Sequence, residues 1–165
     1  MADLLVKLYQ LPPLPPFVAR LAAAGVTVRR AMAYEKKPVI DWVLAQFGSQ
    51  WASECDISFS RQPPACMIAI ESNSLLGFAC YESSWRNFFG PTGVISSRRG
   101  QGIGKTLLLS ALHSMAEMGY AYAVIGAAGD QSEFYKNTVN AQLIDDSSPG
   151  SYEKPVENTT GNKGH

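Results

Sequence analysis

Hydrophobic residues recur along much of the chain at two spacings, one typical of helices and one typical of strands. Between Tyr34 and Phe47 the apolar positions lie three and four residues apart, which predicts a helix with one buried face. A second helical stripe runs from Ile103 to Met118 and precedes Gly119, a residue type that commonly ends helices. The segment FVARLAAAG, which begins at Phe17, predicts a shorter helix.

Short apolar runs bounded by turn residues predict the strands. The run VTVRRAMA alternates apolar and polar positions, as a half-buried strand does. Residues 65–72 and 74–83 flank Asn73 and are predicted to pair as an antiparallel hairpin. Residues 88–96 form the next predicted strand, and the glycines and the proline within it should weaken its pairing locally.

The second half of the chain predicts a crossover between parallel strands. The continuous apolar run YAYAVIG follows the helix that begins at Ile103 and is typical of a strand buried on both faces. Strand, helix and strand in this order form a right-handed crossover. Asp130 and Glu133 have the spacing of a capping box, which predicts a later helix starting at Asp130, and AQLID predicts a last strand. The predicted class is mixed α/β.

Length and charge narrow the range of functions. A chain of 165 residues suits a single domain. Lysine plus arginine equals aspartate plus glutamate at 14 each, so there is no global basic field and nucleic acid is not an expected partner. The apolar runs are far shorter than the ~20 residues that span a bilayer. The N-terminus lacks the pattern of a secretory signal, so we expect no membrane association and a cytoplasmic location.

Two segments differ in composition from the rest of the chain. The segment LPPLPP, at 11–16, predicts a stiff connector between a short N-terminal apolar segment and the main body. From Ser147 onward the chain is polar and rich in glycine, so we expect a domain over 1–146 and a flexible tail over 147–165.

The three cysteines do not suggest a metal site. Cys55, Cys66 and Cys80 contain no CxxC pair, and only His113 and His165 could complete a ligand set. We therefore interpret them as buried, idle thiols and expect no metal.

The segment SSRRGQGIGKTLLL carries the most informative chemistry. Its three glycines at the start of a helix let the backbone approach a ligand closely, and the free N–H groups of the first helical turn favour an anion. A Walker A loop would need glycine where Arg99 stands, and a dinucleotide fingerprint would need glycine at Lys105. A third pattern, [RQ]-x-x-G-x-[GA], is met by Arg99, Gly102 and Gly104.

On this loop, and on the later pair Phe134 and Tyr135, the sequence resembles the GNAT superfamily of acyl-CoA-dependent N-acyltransferases. The resemblance implies a mixed, mostly antiparallel sheet that splays at the cofactor site, with helices on both faces. It implies acetyl-CoA as co-substrate and Tyr135 as the general acid. The residues that it assigns to cofactor binding are Thr92, Gly93 and Val94 along the pantetheine and Arg99, Gly100, Gln101, Gly102, Ile103, Gly104 and Lys105 around the pyrophosphate.

The sequence departs from the family pattern in places. Asn137 and Val139 stand where lysine and glycine are usual, and residues 88–96 contain no carboxylate to act as general base. Glu82 is the nearest carboxylate by sequence and is our candidate base. It could instead be an exposed charge at a strand end, with a water relay taking the proton.

Other residues of interest have structural interpretations as well. Trp85, Phe88 and Phe89 could line an acceptor pocket or belong to the core. His113 shares a polar helix face with Thr106 and Ser110, which we expect to face solvent. The last strand of the family should be short or missing, because the chain becomes polar after Asp146.

The expected reaction is transfer of an acetyl group from acetyl-CoA to a primary amine of a small molecule or peptide, by direct attack in a ternary complex. A homodimer is one assembly that we consider. The main alternative is a non-catalytic module that binds or senses acyl-CoA. A nucleotide phosphohydrolase is disfavoured by Arg99 at the Walker position and by the lack of a convincing Mg²⁺-binding aspartate.

Overall fold

A computed structural model describes residues 1–152, 154 and 156–157. Within them the predicted helices and strands are present in the predicted order, together with one strand and one helix that were not predicted and with short 3₁₀ turns between several elements. In chain order the elements are β1 Leu4–Lys7, α1 Pro15–Ala23, β2 Thr27–Arg30, α2 Lys36–Phe47, α3 Ser49–Ser58, β3 Cys66–Glu71, β4 Ser74–Tyr81, β5 Phe88–Val94, α4 Ile103–Glu117, β6 Tyr122–Ile125, α5 Ser132–Val139 and β7 Gln142–Leu143.

The strands form one mixed sheet in the order β2-β3-β4-β5-β6-β1-β7. Every pairing in it is antiparallel except that of β5 with β6, which are joined by α4 as the predicted crossover. Helices cover both faces. Apolar residues of α1, α4 and α5 pack in one cluster, and those of α2 and α3 pack in another on the opposite face. The mixed α/β prediction is confirmed.

Strands β5 and β6 separate after a short stretch of pairing. They pair only at Phe88 with Val124 and at Phe89 with Ile125. There β6 ends and the chain turns away, while β5 continues to Val94 with that edge unpaired among the described residues. At the same place Gly90 and Pro91 interrupt the register between β5 and β4, as the sequence predicted. We call this divergence the fork. It is the splayed region that the resemblance implied.

The N-terminal segment forms a strand that the sequence patterns did not predict. β1 lies between β6 and β7 and pairs antiparallel with both, with Leu4 and Val6 buried. β7 itself has only two residues. The connector predicted over 11–16 is shorter and covers 11–14, because Pro15 and Pro16 form the start of α1, a position where proline fits a helix.

Two predictions about polar residues are wrong. Thr106 and Ser110 are buried, and the Nε2 atom of His113 lies 2.8 Å from the carbonyl oxygen of Pro12, because the proline-rich connector covers this face of α4. Asp130 does not cap a helix either. α5 begins at Ser132 after a 3₁₀ turn, without a side-chain cap, and Glu133 pairs instead with Lys136 at 3.0 Å.

The first residues after 146 make contacts with the domain. The Ser147 hydroxyl accepts a hydrogen bond of 2.9 Å from the amide of Asp3, and a Cβ on Gly126 would come within 2.6 Å of the Tyr152 ring. Flexibility of the tail stays a prediction, and Glu153, Pro155 and 158–165 lie outside the described residues. None of the helices in the described part of the chain is both long and apolar enough to cross a membrane.

Candidate active site

A cavity of about 620 Å³ opens at the fork between β5 and β6. One wall is the open edge of β5, another is the loop that enters α4, and a third is α5. Aromatic residues from the junction of α2 and α3 close the remaining side. The lining residues are Phe47, Trp51, Thr92, Gly93, Val94, Arg98, Arg99, Gly100, Gly102, Gly104, Lys105, Gln131, Phe134 and Tyr135.

The loop at residues 99–102, which we call the glycine loop, presents the start of α4 to this cavity. Gly100 and Gly102 have φ angles of +76° and +84°, which side chains rarely adopt, so the turn depends on glycine. The amide of Thr106 is the first that bonds inside the helix, to the Gly102 carbonyl at 3.1 Å. The amides of residues 103–105 therefore remain free for a ligand, and the helix dipole favours an anion there.

All charged side chains that line the cavity, within the described residues, are cations. Arg98 is fixed by an ion pair with Glu71 of β3 and by a 3.0 Å bond from its Nε to Gln101 Oε1. Arg98 in turn holds the pKa of the Glu71 carboxyl below its usual value. Arg99 Nε donates to the Val94 carbonyl at 3.2 Å. Because the whole chain is neutral, this positive charge is a local feature.

The edge of β5 turns backbone amides toward the fork. Ile95 donates to the Leu76 carbonyl of β4 at 2.9 Å. In an antiparallel pair the direction of the amides alternates, so the N–H groups of Thr92 and Val94 point away from β4. They face the open side because β6 ends at Ile125, opposite Phe89. The N–H of Gly93 faces β4 and is not available to the cavity.

Tyr135 contributes a protonated phenol to the cavity wall. Its side chain is 6% exposed and packs edge-on against Phe89 and Phe134. Burial raises the pKa of Tyr135 to about 12. Within the described part of the chain, no side-chain hydrogen bond engages its hydroxyl. The phenol is therefore protonated at neutral pH and is available as a donor.

The comparison of the sequence with known families shows which family the chain belongs to. The acetyltransferase (GNAT) family pattern matches residues 36–136. The chain belongs to the GNAT acetyltransferase family. No curated protein matches the sequence.

Solved structures share the GNAT fold at low sequence identity. A glucosamine N-acetyltransferase region of a fungal multi-domain protein is 15% identical, with 87% of this chain and 19% of that chain covered and a TM-score of 0.67. A GCN5-related N-acetyltransferase from Sphaerobacter thermophilus is 18% identical over 87% of this chain and 48% of that chain, with a TM-score of 0.62. The PaiA N-acetyltransferase of Thermoplasma acidophilum in complex with coenzyme A is 19% identical over 68% and 87% of the two chains, with a TM-score of 0.51. This chain therefore spans about a fifth of the length of the first of these chains and about half of the length of the second.

Glu82 is not brought to the GNAT cavity. It is only 2% exposed, so the alternative of an exposed strand-end charge is wrong. Its Oε1 accepts a hydrogen bond of 2.6 Å from the amide of Asn87, and its own amide donates to the Phe88 carbonyl at 2.9 Å. The side chain therefore closes the turn between β4 and β5. The described lining residues include no carboxylate.

Sequence reasoning missed several cavity residues. Phe47 was expected only as helix core, and Trp51 lies on α3, a helix that the sequence patterns did not predict. A second depression of about 310 Å³ adjoins the glycine loop and is lined by Phe17, Arg20 and Lys105 among others. Arg20 is a basic residue on α1, and only the packing of α1 against α4 shows that it belongs here.

Proposed function

We propose that this GNAT protein transfers an acetyl group from acetyl-CoA to a primary amine of a small molecule or peptide, by direct attack in a ternary complex. One observation carries the proposal. A sheet edge with outward-facing amides leads directly to a helix N-terminus surrounded by cations, as an extended amide-containing ligand with a pyrophosphate requires. The PaiA N-acetyltransferase, which shares the fold, was solved in complex with coenzyme A, and this supports the choice of ligand.

The residues present fit coenzyme A along its length. The amides of residues 103–105, with Arg98, Arg99 and Lys105, would hold the pyrophosphate. The outward amide of Val94, the one nearer the pyrophosphate, would bind an amide group of the pantetheine. A Cβ at Gly100 or Gly102 would meet no protein atom within 4 Å, which leaves this side of the loop open to the ligand. Arg20, Lys105 and Phe17 in the second depression would take the phosphorylated nucleotide.

Acetyl-CoA supplies a thioester whose acetyl group passes to the amine. The Thr92 amide, the outward one further from the pyrophosphate along β5, would polarise the thioester carbonyl, as an oxyanion-hole donor does. Tyr135 would donate its proton to the departing sulfur. A thiol has a pKa of about 8.5 and leaves more easily when it is protonated, and the phenol is still protonated at neutral pH.

The attacking amine must be neutral. Since no carboxylate lines the described cavity, we assign removal of its proton to water rather than to a side chain in contact with it. We assign Glu82 a positioning role. By holding the Asn87 amide it fixes the residue directly before β5, and thereby the strand that forms one arm of the fork.

A second candidate function has an observation in its favour. A carboxylate-free cavity would also suit a GNAT module that binds acyl-CoA without turning it over. The two candidates differ in whether coenzyme A is released as a free thiol.

The deciding experiment is an acceptor screen. Purified protein with acetyl-CoA is offered a panel of small amines and lysine peptides, and free thiol is measured together with the acetylated product by mass spectrometry. We expect at least one amine to give equal amounts of thiol and product, and Tyr135→Phe to slow that reaction. Tight binding of acetyl-CoA with no product from any amine would favour the binding module.

A further inference from the structure

All three cysteines of the chain meet at one point in the core. Cys55 lies on α3, Cys66 on β3 and Cys80 on β4, and their Sγ atoms lie within 4.8 Å of one another. Each residue is 0% exposed. Cys66 and Cys80 are direct cross-strand partners, and α3 places Cys55 over them. The expectation of buried thiols is confirmed, but the sequence did not indicate that they would converge.

This convergence is not a consequence of local spacing. The three residues belong to a helix and two strands, and only the packing of α3 on the sheet unites them. The cluster lies on the face occupied by α2 and α3, among Val39, Val43 and Phe78. None of the three cysteines lines the cavity at the fork, so a ligand of the cluster would not occupy the proposed acetyl-CoA site.

The surroundings determine which ligand charge the cluster can accept. Its neighbours are apolar, apart from the Ser58 hydroxyl, which donates to the Cys55 carbonyl at 2.6 Å. The carboxylate of Asp56 adds negative charge near Cys55 and is itself paired with Lys36 at 2.9 Å. A divalent ion on three thiolates would leave an uncompensated negative charge in this core, which is costly. A trivalent centre on three thiolates is neutral.

The number of sulfur ligands also favours a trivalent centre over a zinc ion. Zinc on three sulfurs needs a fourth ligand. His113 cannot supply it. This residue lies on α4, which packs on the opposite face of the sheet, and its ring contacts Pro12 there. Trivalent arsenic and antimony are thiophilic and complete their bonding with three sulfurs. With bonds of about 2.3 Å to one centre, as for zinc, the sulfurs would lie at most about 4 Å apart, so small side-chain rotations suffice.

We propose that Cys55, Cys66 and Cys80 form a binding site for a trivalent thiophilic centre, with arsenite as its simplest source. In the binding step arsenous acid, As(OH)₃, exchanges three As–O bonds for three As–S bonds. The three thiol protons leave with the three hydroxides as three water molecules, and no oxidation state changes. On one side only α3 separates the cluster from solvent, since Ile57 on its outer face is 48% exposed.

The stoichiometry can be measured directly by native mass spectrometry. Reduced protein is incubated with sodium arsenite, either folded or during refolding from denaturant, and is then desalted. We expect one adduct whose mass is that of one arsenic less three hydrogens, and a higher melting temperature with arsenite present. Binding through two thiols would retain a hydroxide on arsenic, so its mass differs. That adduct, or no adduct by either route, would overturn the proposal.

Variants separate the cluster from nonspecific thiol chemistry. Cys55→Ala, Cys66→Ala and Cys80→Ala should each lose the three-thiolate adduct, whereas Ser58→Ala, which keeps all three sulfurs beside a changed neighbour, should retain it. Circular dichroism and acetyl-CoA binding report on folding of each variant. If a folded cysteine variant forms the same adduct, the site is wrong. Equal retention of Zn²⁺ by the wild-type protein would contradict the charge argument.

Discussion

The tip of the Phe47 ring approaches Gly93 so closely that a Cβ at that position would lie 2.5 Å from Phe47 Cζ. Phe47 also packs against Phe78 and Trp51, with ring centroids 5.6 and 5.2 Å away. This contact joins the end of α2 to the strand that forms one arm of the fork. The absence of a side chain at Gly93 is therefore a packing requirement as well as a feature of the proposed pantetheine strand.

We expect Gly93→Ala to push Phe47 away and to disturb the cavity wall. Overpacking of this kind typically costs about 1–3 kcal/mol. Denaturant unfolding should show this loss, and acetyl-CoA should bind more weakly. The double variant Gly93→Ala with Phe47→Leu should recover part of the stability, because the two changes share one contact. Strictly additive losses in the double variant would contradict this explanation.

Arg20 tests where the nucleotide end of coenzyme A lies. We expect Arg20→Ala to weaken binding of coenzyme A by about fivefold, which corresponds to roughly 1 kcal/mol for an exposed phosphate contact. Binding of 3′-dephospho-coenzyme A should be the same in the variant and the wild type, because this ligand lacks the phosphate that we propose Arg20 to contact. Calorimetry with both ligands measures the difference. Equal weakening for both ligands would place Arg20 elsewhere, and Arg86→Ala, which changes a residue outside both depressions, is the control.

Tyr135→Phe should lower kcat by about 10²- to 10⁴-fold and leave acetyl-CoA affinity nearly unchanged, as expected for the loss of a positioned proton donor. The pH dependence gives a second check. Burial raises the pKa of Tyr135 to about 12. The phenol therefore stays protonated at pH values above about 10, the pKa of an ordinary tyrosine. With saturating amine, kcat should stay level from about pH 8 to pH 10. A decline with a midpoint near 10 would mean that the acid is an exposed group.

Glu82→Gln distinguishes a general base from a positioning residue. Glutamine keeps an oxygen that can accept the hydrogen bond from the Asn87 amide, but it removes the negative charge. We expect kcat to stay within about threefold of wild type, which is less than 1 kcal/mol of barrier. Glu82→Ala should lower the melting temperature, because the Asn87 amide loses its partner. A 100-fold loss of kcat in Glu82→Gln with unchanged folding would restore Glu82 as the base.

Local patterns predicted the elements that depend on local chemistry. The helical stripe from Ile103, the hairpin around Asn73 and the glycine loop all appear in the structure because spacing and turn residues determine them. β1 was missed because four residues carry little periodicity, and its place between β6 and β7 depends on distant partners.

Features that depend on tertiary packing could not be predicted in the same way. His113 lies on a polar helix face, yet the connector at Pro12 covers it. Likewise, Arg20 and the three thiols acquire their neighbours only through the packing of helices against the sheet. A single sequence contains such residues without showing which of them meet.

In the proposed function, acetyl-CoA binds with its pyrophosphate at the start of α4. Gly104 offers the most direct test, because a Cβ there would lie 3.7 Å from Val94 Cγ2 and 4.0 Å from Phe134 Cζ, in ordinary contact. Gly104→Ala should therefore fold normally, and Gly104→Val should extend further into the proposed pyrophosphate space. Titration calorimetry should show one acetyl-CoA per wild-type chain, little change in affinity for Gly104→Ala, because the [RQ]-x-x-G-x-[GA] pattern allows alanine at this position, and no binding to Gly104→Val, with ATP binding poorly throughout. Unchanged acetyl-CoA affinity in a folded Gly104→Val protein would contradict this placement of the pyrophosphate.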